Sequence, residues 1–66
     1  MNIVKKLRDK KNITQNELAK EMGVMRQTIS AIERGSNPRV ELLKRLAEYF
    51  GVTTDYILGL DESNTA

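Results

Sequence analysis

Residues 15–35, QNELAKEMGVMRQTISAIERG, decide how the chain is read. Two short runs of helical periodicity stand on either side of Gly23. In the first, Leu18, Ala19 and Met22 share one face of a helix. Thr14 and Glu17 form a T-x-x-E capping box before it, so this helix is expected over 15–22. Gly23 ends it, and Val24 is an apolar residue placed to plug the turn. The second helix is expected over 25–34, with Gly35 as its stop. Its apolar positions, Ile29 and Ile32, make only a narrow stripe. The opposite face carries Arg26, Gln27, Ser30 and Arg34, long or hydrogen-bonding side chains that are free to meet something outside the chain.

The register of these positions has a geometric cause. Two helices that cross at about 90–120° through a three- or four-residue turn come very close together. A small residue is needed at the crossing, which is Ala19, and the turn needs a residue that tolerates positive φ, which is Gly23. Leu18, Val24, Ile29 and Ile32 then wedge the pair onto the remaining core.

Upstream, Ile3, Val4 and Leu7 predict a first helix over 2–11, capped by Asn2 and ended by Asn12 in a left-handed conformation. Downstream, Ser36, Asn37 and Pro38 form a loop, because Pro38 forbids a helix that runs straight through. A fourth helix is expected over 39–50, with Val40, Leu43, Leu46, Ala47 and Phe50 on its buried face. Gly51 ends it and Val52 again plugs a turn. Thr53 caps a last helix over 54–58, containing Tyr56, Ile57 and Leu58, and Gly59 stops it. The chain carries no strand signal, so the expectation is an all-α, compact five-helix bundle over 1–60 with a short polar tail at 61–66.

Composition narrows the function. Sixty-six residues make one domain with a thin core. There is no cysteine and no histidine, which excludes disulfides and Cys/His zinc sites and fits a reducing, cytoplasmic setting. No apolar run approaches the roughly 18 residues of a membrane span, and the charged start MNIVKKLRDK is unlike a signal peptide. The net charge of +2 is unevenly distributed. Residues 1–39 carry nine basic and four acidic side chains, and residues 40–66 carry two basic and five acidic ones. Such an oriented field favours a polyanion at one end of the molecule.

The segments ITQNELAKEMGV, RQTISAIERG, NPRVELLKRLAEYFGV and TTDYILGL resemble the phage-repressor type of helix-turn-helix, the lambda and 434 repressor and Cro class also called the xenobiotic-response-element family. The resemblance covers about residues 3–60 and implies a lambda-repressor-like DNA-binding domain. It further implies a homodimer that reads a palindromic operator in double-stranded DNA as a transcriptional regulator, most simply a repressor. By the same resemblance, Arg26, Gln27 and Ser30 match base-reading positions, and Gln15 matches a phosphate anchor. Thr28, Arg34, Ser36, Asn37 and Arg39 match backbone-contact positions, while Arg8 and Glu33 match a structural ion pair. Guanine suits a bidentate Arg and adenine a bidentate Gln. Ser30 either contacts a base or only permits close approach. Met25 is the departure, since relatives usually carry Ser or Thr there. It offsets the lost cap by packing or touches a thymine methyl, and packing is the preferred reading.

Leu42 and Tyr49 lie seven residues apart beside the expected core face of the fourth helix. With Tyr56, Ile57, Leu58 and Leu60 they are expected to form an apolar dimer patch far from the reading helix. A C2 dimer would place its two reading helices about 34 Å apart, one turn of DNA. The alternative is a protein-interaction module of the same fold, an antitoxin or a partner of an antirepressor, with DNA binding secondary. An enzyme is disfavoured, because there is no histidine, cysteine or metal cluster, the acids are dispersed among bases and the length forms no pocket. Neither a metal, a cofactor nor a small-molecule ligand is implied.

Overall fold

The computed structural model describes residues 3–60. Asn2, the expected first cap, and the tail at 61–66 lie outside the described residues. The described residues form five α-helices and no strand, as the periodicity predicts: α1 Ile3–Lys11, α2 Gln15–Met22, α3 Arg26–Glu33, α4 Val40–Phe50 and α5 Thr54–Leu58. The chain divides after Ser36 into two units, Met1–Ser36 and Asn37–Ala66.

In the first unit α3 packs against both α1 and α2. The core is made of Val4, Leu7, Leu18, Ala19, Met22, Ile29 and Ile32, all buried. Local chemistry sets each boundary. Asn12 takes φ 63° after α1, and the amide of Ile13 returns to the carbonyl of Arg8 at 3.2 Å. At the start of α2 the Thr14 hydroxyl accepts the Glu17 amide at 3.0 Å, and the Glu17 carboxylate accepts the Thr14 amide at 2.7 Å. Two otherwise orphaned amides are thereby satisfied at once. Gly23 closes α2 at φ 70°, a left-handed conformation that costs a glycine nothing. Its neighbour Val24 donates back to the Ala19 carbonyl at 3.0 Å, so the chain turns tightly into α3.

In the second unit α4 packs against α5. Gly51 ends α4 at φ 68°, and the Thr53 hydroxyl caps α5 through the Tyr56 amide at 3.0 Å. Tyr49 and Phe50 meet edge to face, with ring centroids 5.1 Å apart. The buried residues are Leu42, Leu46, Ala47, Val52 and Ile57.

The face of α4 corrects the sequence expectation. Leu42 is buried, Leu43 and Phe50 are half-buried, and Val40 is 65% exposed. At 3.6 residues per turn Leu42 falls only about 40° from Leu46, so it belongs to the same stripe. Val40 is the first residue of the helix and lies at the far edge of that stripe. The Leu42 side chain is used inside its own chain, and so is Ile57. Both therefore leave the expected dimer patch, and what remains exposed or half-exposed is Tyr49, Tyr56, Leu58 and Leu60.

Candidate nucleic-acid interface

The outward surface of α3 follows from where its isoleucines point. Ile29 and Ile32 are buried, which turns the opposite side of the helix to solvent. Arg26, Gln27, Ser30 and Arg34 all fall within about 100° of arc on that side. Arg26, Gln27 and Arg34 are exposed, and Ser30 is half-buried. Arg34 follows the helix as its C-cap, and its Nη1 donates to the Ser30 hydroxyl at 2.7 Å. The two residues thus act as a linked pair one turn apart, with the Ser30 O–H still able to donate outward. Thr28 lies off this arc and is half-buried.

Behind the arc stands a chain of charged and amide groups. Arg8 on α1 donates from Nε to Glu33 Oε2 at 2.8 Å and from Nη2 to Glu33 Oε1 at 3.4 Å. Its Nη1 donates to the Ile13 carbonyl at 2.9 Å and lies 3.6 Å from Asp9 Oδ1. Only 12% of the Arg8 side chain and 6% of the Glu33 side chain are exposed. Gln15, the first residue of α2, donates from Nε2 to Glu33 Oε1 at 2.9 Å. Its Oε1 in turn accepts from Arg26 Nη1 at 3.5 Å. The order of these bonds fixes the amide, because a carboxylate only accepts and a guanidinium only donates. Helix α3 is thereby tied to both α1 and α2 through polar groups as well as through its core.

The same chain sets the charges. Burial disfavours the ionised form of Glu33, but the hydrogen bonds from Arg8 and Gln15 and the positive charges of Arg8 and Lys5 outweigh it. Its carboxyl therefore titrates below the ordinary value. The hydrogen bond to Glu33 raises Arg8 above its ordinary value despite the cost of burial.

The Gln15 bond to Glu33 was not legible beforehand, since nothing local links residues 18 positions apart. An open groove of about 560 Å³ lies at the start of α2, lined by Arg8, Asp9, Asn12, Ile13, Thr14, Gln15, Asn16 and Arg26. It is a surface concavity and not an enclosed pocket. Asn12, expected only to end α1, and Asn16 also join its lining; their one signal as site residues is their closeness to Gln15 in the sequence.

The remaining positions are placed as follows. Ser36 is exposed at the end of the first unit, and Asn37 and Arg39 are exposed at the start of the second. Met25 is the N-cap of α3 in extended conformation, makes no side-chain cap bond and is 68% exposed. The preferred packing role for Met25 is thereby corrected: the turn is already filled by Val24, which is half-buried, and the thioether chain faces solvent. Among the described residues no group of three or more acidic side chains is gathered to hold a metal ion. No described helix is long and apolar enough to cross a membrane.

Comparison with known proteins agrees with this geometry. Residues 4–57 match the helix-turn-helix family model. The chain is 49% identical over 47 residues to an uncharacterized HTH-type transcriptional regulator of Methanocaldococcus jannaschii, covering 70% of this chain and 71% of that one. It is 40% identical over 60 residues to the HTH-type transcriptional activator BcrR of Enterococcus faecalis, covering 89% of this chain and 29% of BcrR. It is 31% identical over 62 residues to the cryptic phage CTXphi transcriptional repressor RstR of Vibrio cholerae, covering 92% of this chain and 56% of RstR. No solved structure matches the chain significantly. With five helices among the described residues, a glycine turn between α2 and α3 and a family match over most of its length, the chain belongs to the Cro/C1-type helix-turn-helix family of DNA-binding transcription regulators, which are not enzymes.

Proposed function

We propose that this chain is a sequence-specific repressor that binds double-stranded DNA as a homodimer on a palindromic operator, with α3 in the major groove. The observation that carries the reading is the exposed arc of α3, where Arg26 and Gln27 stand opposite the buried Ile29 and Ile32. Arg26, Gln27 and Ser30 take the base edges. Arg34, Ser36, Asn37, Arg39 and Thr28 take the sugar-phosphate backbone. Gln15 keeps one Nε2–H on Glu33 and offers the other to a phosphate, an arrangement its two amide hydrogens permit. Phosphate contacts supply most of the affinity and make it salt-dependent, while base contacts set the sequence preference. The excess of basic residues over 1–39 suits a polyanion on the α3 side of the sequence.

The dimer contact is assigned to the second unit, through Tyr49, Tyr56 and Leu60. Repression follows from occlusion: a protein that covers an operator overlapping a promoter excludes the polymerase. RstR carries the name repressor and BcrR the name activator, so the sign of regulation is tested directly.

The deciding experiment is selection of bound duplexes from a random pool, followed by in vitro transcription from a promoter that overlaps the selected site. Enriched duplexes are expected to carry an inverted repeat whose half-site centres lie about 34 Å, one helical turn, apart. Transcription is expected to fall as protein is added. A pool that shows no enrichment and no salt-sensitive gel shift at low salt overturns DNA recognition in favour of a protein-interaction module. Enriched sites with no inverted symmetry overturn the homodimer.

A further inference from the structure

Met25 is in a position that folding alone does not explain. It begins the reading helix, yet it leaves α3 without the side-chain cap that Thr14 gives α2 and Thr53 gives α5. It is also 68% exposed, so its apolar chain is in water instead of the core. Of the three methionines in the chain, Met22 is buried three residues away and contributes to packing where Met25 does not. The missing cap works against stability in the free protein, and the exposed chain adds nothing to it.

We infer that Met25 is a specificity-determining residue that contacts the 5-methyl group of a thymine in the major groove. This rests on the proposed reading of DNA by α3. Met25 directly precedes Arg26 and adopts an extended backbone, φ −79° and ψ 152°, at the end of the helix that leads into the groove. Among the base edges of the major groove the thymine methyl is the apolar group, and an apolar side chain discriminates it from cytosine and from uracil. A thioether chain is long, flexible and polarizable, and adapts to such a contact. A second protein copy is a poorer occupant for this point. Arg26 and Arg34 lie on the same exposed arc, and two copies meeting here would oppose like charges.

The test uses the duplex enriched from the random pool. Each thymine is replaced singly by deoxyuridine, which removes only the methyl group. Parent protein is expected to lose about three- to fivefold in affinity at one thymine per half-site, the worth of one buried methyl. Met25→Ser is expected to bind thymine and uracil duplexes equally at that position and to keep the parent's response at every other one. Met25→Leu, still apolar, is expected to retain the discrimination. Circular dichroism confirms that all three proteins are folded. Identical deoxyuridine profiles for parent and Met25→Ser overturn the assignment while leaving DNA recognition standing. Failure to enrich any duplex overturns both, and does so before the substitution step is reached.

Discussion

Arg8 Nε lies 2.8 Å from Glu33 Oε2, so an ion pair joins α1 to the end of α3 across 25 residues of sequence. Both side chains are almost fully covered. Removing one partner of a covered pair leaves the other charge uncompensated, and the cost is about 3 kcal/mol. Arg8→Ala and Glu33→Ala are each expected to lose stability on this scale in urea unfolding. The double variant Arg8→Met with Glu33→Leu is expected to recover most of it, because no charge is then stranded. A double variant no more stable than either single one would show that the pair adds stability of its own.

The same pair fixes the response to acid. Glu33 titrates below its ordinary value of 4.5 in the folded chain. A depressed carboxyl contributes stability that is fully present above the unfolded value and is lost as pH falls through the folded one. Glu33→Gln cannot titrate. The stability difference between parent and Glu33→Gln is therefore expected to be constant near neutrality and to shrink below pH 4.5. A difference that stays constant down to the acid limit would separate Glu33 from the acid response.

Helix caps offer a contrast within one chain. Thr14 makes a reciprocal capping box, whereas Met25 makes no side-chain cap bond. Thr14→Ala is expected to cost about 1 kcal/mol, and Met25→Ser to gain a similar amount. Thermal unfolding reads both changes. A Met25→Ser protein that melts below the parent would give Met25 a stabilising role that its exposure does not suggest.

These comparisons separate what sequence carries from what it does not. The limits of α2, the Thr14–Glu17 box, the left-handed turns at Asn12, Gly23 and Gly51, and the buried Ile29 and Ile32 depend on residues a few positions apart. Periodicity and capping rules reach that far. The apolar residues of α4, Val40, Leu42, Leu43, Leu46, Ala47 and Phe50, span one continuous arc of about 160°. Only tertiary packing selects the phase that buries Leu42 and leaves Val40 at the exposed edge. Gln15 was legible as an outward polar residue at a helix start. That its amide is fixed between Glu33 and Arg26 depends on the packing of three helices.

Dimerisation is expected to respond to residues of the second unit that are exposed or half-exposed. Leu60 is 75% exposed, and Tyr49 is half-buried on α4. Tyr49→Glu and Leu60→Glu are expected to shift the sedimentation distribution toward monomer without loss of helicity. Leu42→Glu places a charge at a buried position and is expected to unfold the second unit. An unchanged distribution for both Tyr49→Glu and Leu60→Glu removes this patch from the interface.

Base contacts and phosphate contacts differ in what their loss does to binding. Arg26→Ala and Gln27→Ala are each expected to cost about 1–3 kcal/mol on the selected duplex and to relax preference at individual base pairs. Arg34→Ala is expected to weaken binding to all duplexes alike and to reduce the salt slope by about one. Arg26 also donates to Gln15, so its loss frees the Gln15 carbonyl oxygen. Arg26→Ala also removes a positive charge and is therefore expected to raise the binding cost on random duplexes as well, where Gln27→Ala does not. Double replacement, Arg26→Ala with Gln15→Ala, removes that oxygen together with the amide. Its loss on random duplexes is expected to be smaller than the sum of the two single losses, because the two side chains share one hydrogen bond. Strict additivity would mean that Gln15 and Arg26 meet the DNA independently.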